Sequence, residues 1–312
     1  MTGYVAPAWL PGGHLQTLYA ALRPPPRPLL ARERWETPDG DFIDVDFAGP
    51  PGAARLLVLF HGLEGSSASH YARAIAAHAH ERGWRCALPH FRGCSGEPNR
   101  LPRAYHSGDS EEIDWILRRL RAGRAQALFA AGVSLGGNVL LKWLGERGVA
   151  AGAIVRRAVA VSAPIDLVAA GFTLDRGFNR ELYTRVFLAT MKRKALAKLE
   201  RFPGLYDARR VARARTLYEF DDLVTAPLHG FRGVRDYWTR ASAAPWLERV
   251  RVPTLLLNAL NDPFLPAEAL LAASRPAARE VVLEFPATGG HAGFPARRPW
   301  LAQRIAEFLS AA

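Results

Sequence analysis

The stretch Gly132-Val133-Ser134-Leu135-Gly136-Gly137 sets one serine between an apolar run and a segment with helical patterning, in the spacing G-x-S-x-G. Glycine on both sides removes the side chains that would stop a strand from turning sharply into a helix, and such a turn lifts the serine hydroxyl clear of the sheet edge. The helix that follows points its positive end at the same place, which favours negative charge developing there. Phosphate cradling, the other use of a Gly-rich turn, needs a Gly-Lys-Ser/Thr continuation that this stretch lacks. The chemistry implied is nucleophilic attack by Ser134.

A serine hydroxyl attacks poorly until a base takes its proton, and the base works best when a carboxylate holds it. In a strand–turn–helix setting of this kind the chain order is serine, then acid, then histidine. Two segments fit: Ala259-Leu260-Asn261-Asp262-Pro263-Phe264 and Thr288-Gly289-Gly290-His291-Ala292-Gly293-Phe294, each directly after an apolar run. Asp262 is the expected orienting carboxylate and His291 the expected base; Asp166 is the runner-up acid. The oxyanion of a tetrahedral intermediate also needs donors. The Leu135 N–H, next to the nucleophile, is one, and Leu63 N–H in Phe60-His61-Gly62-Leu63-Glu64-Gly65 is the expected second. His61 is expected to brace that loop by hydrogen bonds.

These residues need a scaffold that brings them to one edge. Short apolar runs bounded by turn residues predict eight strands at 32–37, 42–47, 55–60, 85–89, 127–133, 157–162, 254–258 and 281–285. Pro38-Asp39-Gly40 predicts an antiparallel hairpin between the first two. Helical periodicity falls at 70–82, 109–121, 136–147, 266–273 and 299–310, so strands and helices alternate as in a mostly parallel sheet covered on both faces. The interval from 162 to 254 is about three times what one βαβ unit needs. With helical patterning at 180–200 and 207–215, it predicts an inserted helical cap. The expected organisation is an N-terminal arm at 1–30, a core at 31–164 and 251–312, and the cap at 165–250.

With 312 residues, 49% hydrophobic and 22% charged, the chain is globular, neither fibrous nor disordered. Its formal charge of +12 comes from 37 Arg and only 4 Lys, and no helix-turn-helix, RNP-like or zinc-finger pattern accompanies it, so nucleic acid is not an expected partner. Twelve Arg or Lys against four Asp or Glu lie in residues 171–215, a basic cap that admits peripheral contact with an anionic membrane. Arg185, Lys192, Arg193, Lys194 and Lys198 are expected to face water there, with Leu182, Val186, Phe187, Met191, Leu196 and Leu199 turned to the pocket. Two cysteines, Cys86 and Cys94, no signal-peptide pattern and no membrane-length apolar run imply a reducing, cytoplasmic setting. His78 and His80, two apart on a helix, make a poor metal pair and are expected in solvent. Residues 103–109 either line the site or cap the next helix.

The chain resembles the α/β-hydrolase superfamily and, more narrowly, the YheT-like family (AB hydrolase type 4) of esterases. The likeness rests on Trp9-Leu10-Pro11-Gly12-Gly13-His14-Leu15-Gln16-Thr17, His61-Gly62-Leu63-Glu64-Gly65, Phe91-Arg92-Gly93-Cys94-Ser95-Gly96-Glu97-Pro98-Asn99, the serine turn, Asn261-Asp262-Pro263-Phe264 and Gly290-His291 with Gly293. It covers nearly the whole chain. It implies a Ser134, Asp262, His291 triad cleaving short- to medium-chain or lipid-like carboxylic esters, with no cofactor and no metal. Transfer to an alcohol, or ligand binding without chemistry, are the alternatives. The resemblance extends to eukaryotic relatives with an N-terminal membrane segment, which this sequence is expected to lack, so stable membrane anchoring is not expected.

Overall fold

The structure is a computed structural model in which residues 3–123 and 125–311 are described. Eight strands form one sheet: β1 (Ala31–Glu36), β2 (Phe42–Ala48), β3 (Arg55–Phe60), β4 (Arg85–Pro89), β5 (Ala127–Val133), β6 (Arg157–Val161), β7 (Thr254–Leu257) and β8 (Val281–Glu284), in the order β1-β2-β4-β3-β5-β6-β7-β8. The β1–β2 hairpin turns at Pro38-Asp39-Gly40, and β2 runs antiparallel to β4; every other pairing is parallel. Alternate residues of the central strands sort to opposite faces. Leu56, Val58 and Phe60 join one apolar cluster, Leu57 and Leu59 the other. Burial on both faces is why these strands read as unbroken apolar runs.

Helices α3 (Ser110–Arg121) and α4 (Leu135–Arg147) cover one face, and α2 (His70–Glu81) with the C-terminal helix Trp300–Ser310 covers the other. Asp109 caps α3 by accepting the Glu112 N–H, and Arg103 holds the Asp109 carboxylate at 2.7 Å. Within the expected arm lies a helix the sequence did not announce, α1 (Gly12–Leu22). Its opening Gly12-Gly13 and the flanking prolines give no helix-start signal.

Between β6 and β7 the chain runs through α5 (Leu167–Leu174), a wide helical turn at Arg180–Thr184, the helix Arg185–Arg201, and the helices Ala208–Arg213 and Val234–Ala241. Leu188, Val211, Phe220 and Trp238 build an apolar cluster of the insertion's own, which also receives Phe264 from the core.

The expected solvent face of this insertion is corrected. Lys192 Nζ donates to the Ala212 and Ala214 carbonyls, Lys194 Nζ pairs with Glu64, and Lys198 Nζ sits among Asn99 Oδ1 and the carbonyls of Leu101, Pro102 and Arg103 at 2.8 to 3.0 Å. Of the five, only Arg185 and Arg193 are exposed as expected. Loop carbonyls accept from the Lys192 and Lys198 ammonium groups and the Glu64 carboxylate from that of Lys194, so three lysines turn inward. Val186, expected over the pocket, is exposed instead. His80 is exposed as expected, whereas the His78 side chain is only 13% exposed and lies 3.4 Å from Glu81.

Candidate active site

Ser134 follows β5 and caps α4 with φ 57° and ψ −124°, a conformation that a non-glycine residue keeps only when its surroundings force it. The forcing is visible. Its N–H donates to the Val161 carbonyl at 2.8 Å, and its own carbonyl accepts from Gly137 and Asn138 at 2.9 and 3.0 Å. A Cβ at Gly136 would lie 2.3 Å from the Phe60 carbonyl oxygen, and one at Gly132 would lie 2.3 Å from that of Gly136. The glycines let the turn close.

The loop after β3 lies alongside, since a Cβ at Gly62 would come within 3.0 Å of Ser134 Cβ. The loop is pinned at several points. Gly62 N–H donates to Tyr71 Oη at 2.8 Å, and Glu64, at φ 54°, donates its N–H to Tyr105 Oη at 2.9 Å. His61 Nδ1–H donates to the Gly62 carbonyl, and its Nε2 accepts the Phe91 N–H. Burial pushes the His61 pKa down to about 3, so the ring is neutral and its two contacts brace the loop. Among the described residues the N–H groups of Leu63 and Leu135 have no hydrogen-bond partner, and both residues line the cavity that Ser134 faces.

His291 and Asp262 meet on the same edge: His291 Nδ1 lies 3.0 Å from Asp262 Oδ2 and 3.2 Å from Oδ1. A carboxylate only accepts, so the proton sits on Nδ1 and Nε2 keeps its lone pair. Asp262 Oδ1 also accepts the Phe264 N–H at 2.8 Å, while the Phe264 ring stacks on the imidazole at 4.0 Å between centroids. Asp166 caps α5 by accepting the Ala169 N–H at 3.0 Å and does not touch His291. Ser134 Oγ makes no hydrogen bond among the described residues, and it shares its cavity with His291. Such contacts often tighten only when substrate is bound.

The cavity has a volume of about 740 Å³, within the range that holds a drug-sized ligand. Leu174, Phe187, Met191, Phe220 and Trp238 supply apolar wall, and Arg92, Asn99, Lys194 and Lys198 a polar end. Tyr105, His106 and Ser107 line it too, so the stretch between Arg103 and Asp109 serves both the site and the α3 cap. Asp221 also lines it, its carboxyl pushed up to about 6 by burial while accepting from Thr225 and Trp238. Burial pushes the Cys94 thiol up to about 12, which leaves it protonated and unreactive. Among the described residues no group of three or more His, Cys, Asp or Glu could hold a metal ion.

Sequence reasoning missed the supports. Tyr71, Tyr105 and Lys194 fix the loop carrying Leu63, and Gln16 and Thr17 of α1 lie buried against the loops carrying Asp262 and His291. The motif from Trp9 to Thr17 flagged that region but gave no partner, because its contacts lie more than 240 residues away in the chain.

A left-handed serine at a strand-to-helix turn, sharing one cavity at the edge of a sheet of this order with an Asp–His pair, defines a hydrolase of the α/β class. Residues 55–295 match the family described as alpha/beta hydrolase fold. The chain is 40% identical over 291 residues to YheT of Escherichia coli (strain K12), an esterase by name, covering 89% of this chain and 84% of that protein. It is 28% identical to the human phospholipase ABHD3, covering 93% of this chain and 73% of the relative. Among solved structures, a Pyrococcus furiosus esterase aligns with a TM-score of 0.60 at 18% identity, covering 92% of this chain and 96% of the other, which speaks to the fold. The chain belongs to the α/β-hydrolase family, among its YheT-like members, and is an esterase-type hydrolase.

Proposed function

We propose that Ser134, His291 and Asp262 form a catalytic triad that cleaves carboxylic esters of short- to medium-chain or lipid-like acyl groups, with no cofactor. The observation that carries this reading is the His291 Nδ1–Asp262 contact, which leaves Nε2 basic beside the cavity that holds a strained serine. Ser134 Oγ attacks the acyl carbon while His291 Nε2 takes its proton; the unpartnered Leu63 and Leu135 N–H groups bind the oxyanion. The alcohol leaves with the proton from Nε2, and water, deprotonated by the same nitrogen, releases the acid. The apolar wall suits an acyl chain, and the phospholipase name of one relative is in keeping with a lipid-like ester.

Segment 165–250 acts as a cap over this pocket, and the two free cysteines fit a reducing, cytoplasmic compartment. A lipid-docking face built on the cap lysines loses support, because all three, Lys192, Lys194 and Lys198, end on acceptors inside the chain. Among the described residues no helix is long and apolar enough to cross a membrane.

The test is labelling with a fluorophosphonate, mapped by mass spectrometry. Ser134 carries the label, and Ser134→Ala loses both the label and ester turnover while its stability stays within about 1 kcal/mol. A label on another serine refutes the triad. Ester turnover repeated with an added alcohol separates hydrolysis from acyl transfer.

A further inference from the structure

The loop carrying His291 is the most strained segment near the site. Gly289, Gly290, Ala292 and Phe294 all have positive φ, and for the two non-glycine residues, at 51° and 42°, this is strained backbone. Something outside the loop must hold it. Four consecutive backbone N–H groups each end on a side-chain oxygen: Gly289 on Gln16 Oε1 at 2.8 Å, Gly290 on Asn261 Oδ1 at 3.0 Å, His291 on Thr17 Oγ1 at 2.8 Å and Ala292 on Ser162 Oγ at 2.9 Å. Helix α1 supplies two of these acceptors, and the loop of Asp262 supplies another.

Gln16 does more than accept. Its carboxamide oxygen also takes the Asn261 side-chain N–H at 2.9 Å, and its amide nitrogen donates to the Leu10 carbonyl at 2.8 Å, so one buried side chain ties the acid loop, the histidine loop and the start of α1 together. Gln16 is 1% exposed, where an unpaired carboxamide would be costly. Thr17 Oγ1 spends its own proton on the Gly13 carbonyl at 2.7 Å, which leaves its lone pairs for His291 N–H. The backbones meet closely. A Cβ at Gly13 would lie 1.8 Å from the Asn261 carbonyl oxygen, one at Gly290 would lie 2.7 Å from the Gly13 carbonyl oxygen, and one at Gly293 would lie 2.5 Å from that of Gln16.

We infer that Gln16 and Thr17 are positioning residues for the reaction: α1 acts as an external splint that sets where the His291 imidazole stands relative to Asp262 and Ser134. Neither side chain touches the reacting atoms. The inference rests on the triad reading, and a misplacement of about 1 Å in a catalytic group costs on the order of 10²-fold in rate.

The experiment compares Thr17→Val, Thr17→Ser and Gln16→Met in the full chain, using a small soluble ester, with thermal unfolding measured on each. Thr17→Val keeps shape and loses the acceptor, so kcat falls by about 10²-fold while KM stays within about twofold. Thr17→Ser restores the oxygen and returns kcat to within about threefold of the starting protein. Gln16→Met falls with Thr17→Val. The inference is overturned if Thr17→Val or Gln16→Met keeps kcat within threefold, if each loss equals the unfolded fraction at the assay temperature, or if Thr17→Ser is as slow as Thr17→Val. Fluorophosphonate labelling of the unmodified protein at a serine other than Ser134 overturns the triad reading instead, so the two failures are told apart.

Discussion

Replacing Asp262 with asparagine forces a choice that the contacts around it allow to be weighed. Oδ1 accepts the Phe264 N–H at 2.8 Å, and Oδ2 accepts His291 Nδ1–H at 3.0 Å with Asn258 Nδ2 at 3.4 Å. All of these neighbours donate. An asparagine that keeps its oxygen toward Phe264 turns its NH₂ on His291, so the imidazole must accept at Nδ1 and carry its proton on Nε2, where it cannot deprotonate Ser134. The opposite orientation preserves the histidine but sets NH₂ against the Phe264 N–H at a buried site, a mismatch worth about 1–3 kcal/mol. At 1.36 kcal/mol per decade, the productive orientation is then about 5- to 150-fold rarer. Losing the negative charge that stabilises the imidazolium adds to this, and the corresponding change in serine proteases costs about 10⁴-fold. The expected fall in kcat for Asp262→Asn therefore lies between about 10² and 10⁴. Asp166→Asn is the control. Asparagine caps a helix as well as aspartate, so that variant keeps turnover within about twofold. Steady-state hydrolysis of a soluble ester and the rate of fluorophosphonate labelling measure both variants. A kcat for Asp262→Asn within about tenfold of the starting enzyme, or a larger loss in Asp166→Asn, refutes the assignment.

Two further outcomes follow from burial. The folded-state pKa of Asp221 is raised from 3.8 to about 6, so the folded state binds more protons than the unfolded one between those values, and stability rises as the pH falls through that window. Relative to Asp221→Asn, the protein should gain about 2–3 kcal/mol of unfolding free energy between pH 7 and pH 4, read from urea titrations at each pH; a flat difference refutes it. Gly136→Ala puts a methyl 2.3 Å from the Phe60 carbonyl oxygen, where backbone on both sides cannot yield; it should lose at least 3 kcal/mol or fail to fold, and near-native urea unfolding would show that the turn is looser than its contacts imply.

The strands, the hairpin and the placement of Ser134, Asp262 and His291 were legible because each depends on local pattern. An apolar run ends, a turn residue follows, and the residue after it lands on the sheet edge. Chain order was enough to prefer Asp262 to Asp166, and the structure sets the former against His291 and the latter at a helix start. Helix α1 was not legible. Its register is set by what Gln16 and Thr17 grip elsewhere, so its own residues carry little helical signal. The same holds for Lys198. Helical periodicity sends a lysine outward, while the acceptors that draw it in belong to a loop nearly 100 residues earlier. Supports of this kind are relations between distant segments, and a single sequence displays only one side of each.

The ion pair between Lys194 and Glu64 joins two tasks that are usually separate. Lys194 rides on the helix Arg185–Arg201, and Glu64 sits one residue after the N–H proposed to receive the oxyanion. The same carboxylate also accepts the Tyr105 hydroxyl, whose oxygen in turn takes the Glu64 N–H, so the helix and the oxyanion loop are fastened to one side chain. The doorway and the anvil thus share a hinge pin.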